Sequence, residues 1–321
     1  TVNSSSAIAT VTNGSATVGI KDSIINSTIT GDTAFNMTTS GTSQLNGAVT
    51  NANITNTGNL TTTAANIADS NMTNSNNLYL SGALAKSIAG TGTTYVNGDL
   101  TLNDGAEVVG TLNANNGTIT VSSESISSHD IGAINGNGNL NIDLNLAAGT
   151  VDSFNLANAS SGTLTLSSVN MLGTLPTNLD PSFSVQVLNP AVSSAIQLAL
   201  SSDVATAFDA NEYIIEQIAA SSIDDTIQAS SSWTQGLYQN HSTTEEIAKG
   251  KLGLSEDKLS ISVHETSRTG GDTTDTSLGD TLKLVNQDTT NAVKDFTTTT
   301  DGDSYTVIAD LGTDRKSTRL N

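Results

Sequence analysis

Cysteine is absent from this 321-residue chain. That excludes a disulfide-stapled extracellular domain and any zinc or iron–sulfur centre built on thiolates. Proline occurs three times, and Pro176, Pro181 and Pro190 all fall in one short stretch. Aromatic residues make up only 3% of the chain and hydrophobic residues 36%, so there is little bulk to fill a wide globular core. Charged residues are also sparse, at 13%. Disordered chains carry more charge and fewer Val, Ile and Leu. No apolar run approaches the length of a membrane helix, so direct membrane insertion of this segment is not expected. Basic residues are the scarcer charge. Before Lys249 there are only Lys21 and Lys86, and the formal net charge is −20. Phosphate recognition needs clustered Lys and Arg, so nucleic acid is not expected as a partner. Anionic lipids and anionic polysaccharides are disfavoured on the same count. The acidity suits solubility and self-repulsion at an exposed surface.

What the chain does have is a rhythm. Short apolar runs alternate with stretches of Asn, Thr, Gly, Ser and Asp. The clearest are Leu140-Asn-Ile142-Asp-Leu144-Asn-Leu146, Phe154-Asn-Leu156 and Leu164-Thr-Leu166. Strict alternation over a few residues predicts a strand with one buried face. Turn-formers between successive strands predict a chain that bends at regular intervals. Earlier units keep two apolar residues six apart: Ile29 and Phe35, Ile54 and Leu60, Met72 and Leu78, Leu102 and Val108. Their unequal separations fit one coil of a solenoid with loops of varying length. Gly, Asn and Asp at the corners tolerate the positive φ that a tight bend requires. Asn in register on successive coils can form an amide ladder that satisfies buried side chains. A thin solenoid needs few aromatics, because each coil buries only a few aliphatic side chains against its neighbours.

The expected fold is therefore all-β, a parallel β-solenoid with a small mixed α/β insertion. Residues 1–175 form the solenoid. Residues 176–265 read as an insertion or elaborated coils. Within it Val192, Ala195, Ile196 and Ala199 have helical spacing, Thr243 to Lys249 resembles a capped helix start, and Leu259 to Val263 is a strand. Tyr213 to Ala220 is strand or short helix, and Trp233, Tyr213, Tyr238 and Phe208 supply a local aromatic core. Over 266–313 the solenoid style resumes, with rungs at Leu282 to Leu284 and Tyr305 to Val307.

Chemistry-bearing residues do not assemble into a recognisable motif. Asp272, Asp275, Asp280, Asp301 and Asp303 stand at Gly-rich corners, as oxygen ligands for calcium would. Neither the EF-hand spacing nor the calcium-binding β-roll repeat is present, and ordinary Asp turns are the expected reading. Ser304 in Gly302-Asp-Ser-Tyr305 lacks the further context of a hydrolase motif. Ser128, His129 and Asp130 are consecutive, which puts alternate side chains on opposite sides of a strand, whereas a triad is assembled in space. His129, His241 and His264 are too scattered for a shared metal. Paired carboxylates would carry glycoside cleavage. Asp99, Asp104, Glu107, Glu124, Asp130 and Asp143 are isolated in sequence, and Arg268 is the only arginine before the last seven residues. No catalytic, cofactor-binding or metal residue is assigned, and no cofactor is expected. The sequons at Asn13, Asn26, Asn36, Asn53, Asn59 and Asn71 follow from composition.

On the rungs at 100–175, such as Asn97-Gly-Asp-Leu-Thr-Leu102 and Leu140 to Leu146, and on its Cys-free, Asn/Thr/Gly-rich background, the chain resembles the passenger region of bacterial autotransporters and filamentous adhesins. The resemblance is one of rhythm over most of the chain and carries no site residue. It implies a right-handed parallel β-helix, export across the outer membrane, and a separate C-terminal β-barrel. The expected function is a non-catalytic structural or adhesive segment at the bacterial cell surface, with a surface receptor, a glycan or itself as partner. The alternatives are a carbohydrate-active β-helix enzyme using paired carboxylates, and a self-associating fibre or surface-layer component. The last eight residues, Asp314 to Asn321, hold three of the eleven basic residues. They resemble a translated sequencing adapter, as in a truncated metagenomic fragment, and are expected to have no packing role.

Overall fold

The computed structural model describes residues 10–12, 17–122, 125–218, 222–227, 235–242, 246–269, 282–286, 293–301 and 304–309, with side chains over 11–12, 17–122, 125–217 and 247–269. Asp272, Asp275, Asp280, Asp303, Glu124, Trp233 and the 314–321 tail lie outside the described residues. The chain divides into two compact units, 1–213 with 251–264, and 214–250 with 265–321.

The first unit is built on a parallel β-solenoid that runs from Thr10 to Leu200. Its interior consists of unbroken side-chain columns. One stacks Met37, Ile54, Met72, Ile88, Val108, Ile131 and Leu156, ending on Pro190. A second stacks Ser43, Leu60, Leu78, Thr94, Leu112 and Ile134. A third stacks Leu100, Ile119, Leu140, Leu166 and Leu200. The alternation seen in the sequence places these residues inward, and each fully buried Leu or Ile contributes about 1.5–3 kcal/mol.

The coil lengthens along the stack while register holds. Asn56 and Asn74 are neighbours 18 residues apart, Ser128 and Ser153 are 25 apart, and Asn155 and Asn189 are 34 apart. The added residues are accommodated between the rungs, so an unequal sequence spacing still yields equal spacing in space. One inner corner is polar: Thr39, Asn56 and Asn74 are buried and linked Oγ1 to Oδ1 and Nδ2 to Oδ1, both at 2.9 Å. This is the amide ladder expected from the composition. At another corner Gly110 and Gly132 stack tightly. A Cβ on Gly132 would run into the Val109 and Gly110 carbonyl oxygens of the preceding coil.

The far end of the stack is closed within the same unit. Leu198 N–H donates to the Lys258 carbonyl at 2.8 Å, and Val187 and Leu188 N–H donate to Leu259 at 3.0 Å. Ser184–Gln186 pairs antiparallel with the start of Ser260–Thr269.

Three expectations are corrected here. The helical spacing at 190–200 gives no helix: Ala195–Leu200 is a strand paired in parallel with Ser161–Met171. The same residues also alternate, and Ile196 and Leu198 bury themselves by extending an existing rung. The helix comes just after, Ser202–Ala210, where the Ser201 hydroxyl accepts from Val204 N–H at 3.3 Å and Val204 and Phe208 are buried. The helix expected over Thr243 to Lys249 is corrected too: residues 243–245 lie outside the described residues, and Glu246–Leu254 is a strand. Finally, the strands expected to resume the solenoid pair antiparallel: Leu282–Asn286 with Val293–Asp301, and Val293–Asp301 with Ser304–Ala309. Only two residues separate the paired Asp301 and Ser304, and so short a link can join only antiparallel neighbours. Tyr213–Ile218 is a strand. No helix among the described residues is long and apolar enough to cross a membrane.

Candidate functional site

The outer face of the solenoid carries a polar column along one shallow trough. Glu107–Asn113, Ser128–Asn135, Ser153–Leu156 and Leu188–Pro190 are successive rungs there. Asp130, Asn155 and Asn189 are directly in register, and Glu107 stands one rung before Asp130. Asn155 Nδ2 donates to Asp130 Oδ1 at 2.8 Å, and Asn189 Nδ2 donates to Asn155 Oδ1 at 3.1 Å. The trough encloses about 470 Å³, and its apolar wall comprises Val109, Leu156, Ala157 and Ala191. Val109 is 51% exposed, a large aliphatic side chain facing water beside the column. Neighbouring rungs lie about 4.8 Å apart, so the column repeats at that interval along the axis.

In the interior behind these rungs, between Ser128–Asn135, Gly138–Asn145 and Ser153–Leu156, lies a buried titratable cluster. Asp143, Asp152 and His129 are 2%, 0% and 1% exposed. Asp152 spans the bend where Thr150–Val151 folds back on Gly138–Asn145. Its Oδ1 accepts from Ser127 N–H and its Oδ2 from Asp143 N–H, both at 2.7 Å. Asn170 Nδ2 donates to Asp143 Oδ1 at 2.9 Å. Burial pushes the Asp152 carboxyl up from 3.8 to about 6. The two N–H donors pull against this, the Asp143 charge adds to it, and His129 opposes it. His129 sits 2.9 Å from the Ala106 carbonyl through Nδ1 and 3.2 Å from Ser127 Oγ through Nε2.

The structure thus brings Glu107 and Asp130 to one trough, though they are isolated in sequence. Asp99 and Asp104 do not join them. Asp143 meets Asp152 in the interior. Ser128 and Asp130 face outward while His129 points in, as strand alternation requires. His264 bonds Leu254 and Ser262 locally, and His241 lies opposite Ile223 in the second unit. Ser304 opens a strand whose side chains are not described, and Asp301 closes another. Among the described residues no three of His, Asp and Glu are placed to hold a metal ion. Asp152 and Ser127 were not singled out from the sequence. The signal was parity: Asp152 is in phase with Phe154 and Leu156, and Ser127 with His129 and Ile131.

No protein-family model matches the chain, and no curated protein matches it either. The functional reading therefore rests on these sites.

Proposed function

We propose that this chain is a structural and adhesive segment of an exported bacterial surface protein, and that the outer column of Glu107, Asp130, Asn155 and Asn189 is where it meets its partner. The observation that carries the reading is the column itself: carboxylate and amide groups repeat at the rung interval beside an exposed aliphatic wall. Such an array suits an extended hydroxyl-rich chain, which offers donors and acceptors at regular intervals and an apolar face between them. On earlier coils the same column continues through Asn53 and Asn71, whose amides bond at 2.9 Å. A cell-surface location accords with the acidic, Cys-free composition.

Cleavage of a glycan is the competing reading, since Glu107 and Asp130 share the trough. A hydrolase needs one carboxyl that holds its proton near neutrality and one that does not. Asp152, whose carboxyl burial pushes up to about 6, is enclosed in the interior with both oxygens committed to backbone N–H groups, so it cannot supply that proton to a chain lying in the trough.

The test is a binding and cleavage screen of the purified chain against neutral polysaccharides. The reading expects binding weakened about tenfold or more by Asn155→Ala with Asn189→Ala, and no release of reducing ends. Reducing ends released by the wild type and lost in Glu107→Gln or Asp130→Asn would overturn it in favour of the enzyme.

A further inference from the structure

The cluster behind Ser127 has a geometry that the outer column does not use. The Ala106 carbonyl can only accept, so His129 Nδ1 must carry the ring proton. Whenever the ring is neutral, Nε2 presents its lone pair to Ser127 Oγ, 3.2 Å away, and the hydroxyl can donate to it. The ring is fixed in this orientation. It is buried, and the Phe154 ring packs beside it at 6.1 Å between centroids. From the other side Asp152 holds the Ser127 backbone N–H at 2.7 Å. Asp152 is close enough for its charge to act on the imidazole, Asp143 acts on Asp152 in turn, and the Phe154 ring, the Ala106 carbonyl and the Ser127 hydroxyl beside the imidazole are neutral. A hydroxyl within reach of a base, with the base oriented by a third group, is the arrangement that activates a nucleophile. The carboxylate at Asp152 would favour the imidazolium that forms during attack.

Ser127 is half-buried and lines a second trough of about 390 Å³, separate from the first. Ile126, Val151 and Val185 give this trough an apolar side, and Ser128 and Ser153 line it with hydroxyls. The Ser128 oxygen accepts from Ser153 Oγ at 3.1 Å and from Asn155 Nδ2 at 3.2 Å. Its own proton is thereby left to point at a group in the trough.

We propose that Ser127 is a nucleophile that accepts an acyl group from a small ester entering this trough. Ser127 Oγ bonds to the ester carbonyl carbon as its proton passes to His129 Nε2. The bond from that carbon to the alcohol oxygen breaks. The alcohol leaves with the proton returned by the imidazolium, and acyl-Ser127 remains. Atoms and charge balance without any other reactant. The activity is independent of the outer column and would give a surface segment a covalent hold on an acyl-bearing partner.

The experiment incubates the full chain with p-nitrophenyl acetate, then measures intact mass and maps the modified peptide. One acetyl group is expected, located on Ser127, forming more slowly on acidification because an imidazolium cannot take the proton. His129→Gln is expected to slow acylation by about 10²-fold, with circular dichroism confirming that the coil is intact. If that variant unfolds, wild type against Ser127→Ala and the wild-type pH profile decide the matter. Acetylation spread evenly over Ser127, Ser128 and Ser153, a Ser127→Ala chain modified at the wild-type rate, or a rate unchanged by acidification would each overturn the proposal.

Discussion

Replacing Asn56 with Ala probes the interior amide ladder directly. Asn56 is fully buried and uses its whole side chain. Its Oδ1 accepts from Thr39 Oγ1 at 2.9 Å and from Gly58 N–H at 3.2 Å. Its Nδ2 donates to Asn74 Oδ1 and to the Asn77 carbonyl, both at 2.9 Å. Asn74 Oδ1 keeps a second donor in Asn76 N–H at 3.3 Å. The substitution therefore orphans the Thr39 hydroxyl and the Gly58 N–H, while the Asn77 carbonyl loses one of its donors. A buried polar group left without its partner costs about 1–3 kcal/mol, and partial relaxation brings the sum to about 4 kcal/mol. That is a large share of the roughly 5–15 kcal/mol by which domains are stable. The matched control is Asn53→Ala, which removes a 2.9 Å bond of the same type to Asn71 on the exposed face. It should cost less than about 0.5 kcal/mol, because water replaces the lost partner. Urea titration compares the two through the transition midpoint at constant slope. Equal costs for Asn56→Ala and Asn53→Ala would refute the argument that burial makes the ladder essential.

Three further outcomes follow from the same packing. Thr94 sits in the Leu60, Leu78 and Leu112 column with its hydroxyl buried and unpaired, so Thr94→Val should stabilise the chain by about 1 kcal/mol, read from the same urea midpoint. Asp152 binds its proton more tightly folded than unfolded, with a value of about 6 against 3.8, so stability should fall as pH rises from about 4 to 6. The loss is about 3 kcal/mol at neutrality, and denaturation midpoints of wild type and Asp152→Asn at pH 4.5 and 7 would show a slope in the first and a flatter profile in the second. Gly132→Ala should cost about 2–3 kcal/mol because its Cβ meets backbone oxygens of the coil before, whereas Gly19→Ala, with open space around it, should lie within about 1 kcal/mol of wild type in a thermal melt.

Much of the fold was legible because a solenoid writes its interior as local alternation. Leu140, Ile142 and Leu144, or Leu164 and Leu166, show their buried face without knowledge of distant contacts. The 190–200 stretch was misread because its apolar residues satisfy both a helical and an alternating period, and only the waiting rung at 161–166 decides between them. The antiparallel strands beyond 280 carry rungs and corners of the same composition, and pairing direction is not a property of composition. The outer column was hidden for a different reason. Glu107, Asp130, Asn155 and Asn189 are brought together by coil lengths that vary along the chain, so no fixed spacing marks them. Asp152 lay within reach of a parity argument but was masked by the turn residues that precede it.

All of these readings depend on which residues face each other across coils, and the absence of native cysteine makes that register directly measurable. Asn53 and Asn71 are opposite on adjacent rungs, where Cα separations of about 4.8 Å fall inside the range a disulfide spans. The double variant Asn53→Cys with Asn71→Cys should cross-link rapidly under mild oxidant, monitored by non-reducing electrophoresis and peptide mapping. The pair Asn53→Cys with Thr73→Cys, slipped by two residues, should cross-link far more slowly. Equal rates for the two pairs would contradict the parallel in-register solenoid.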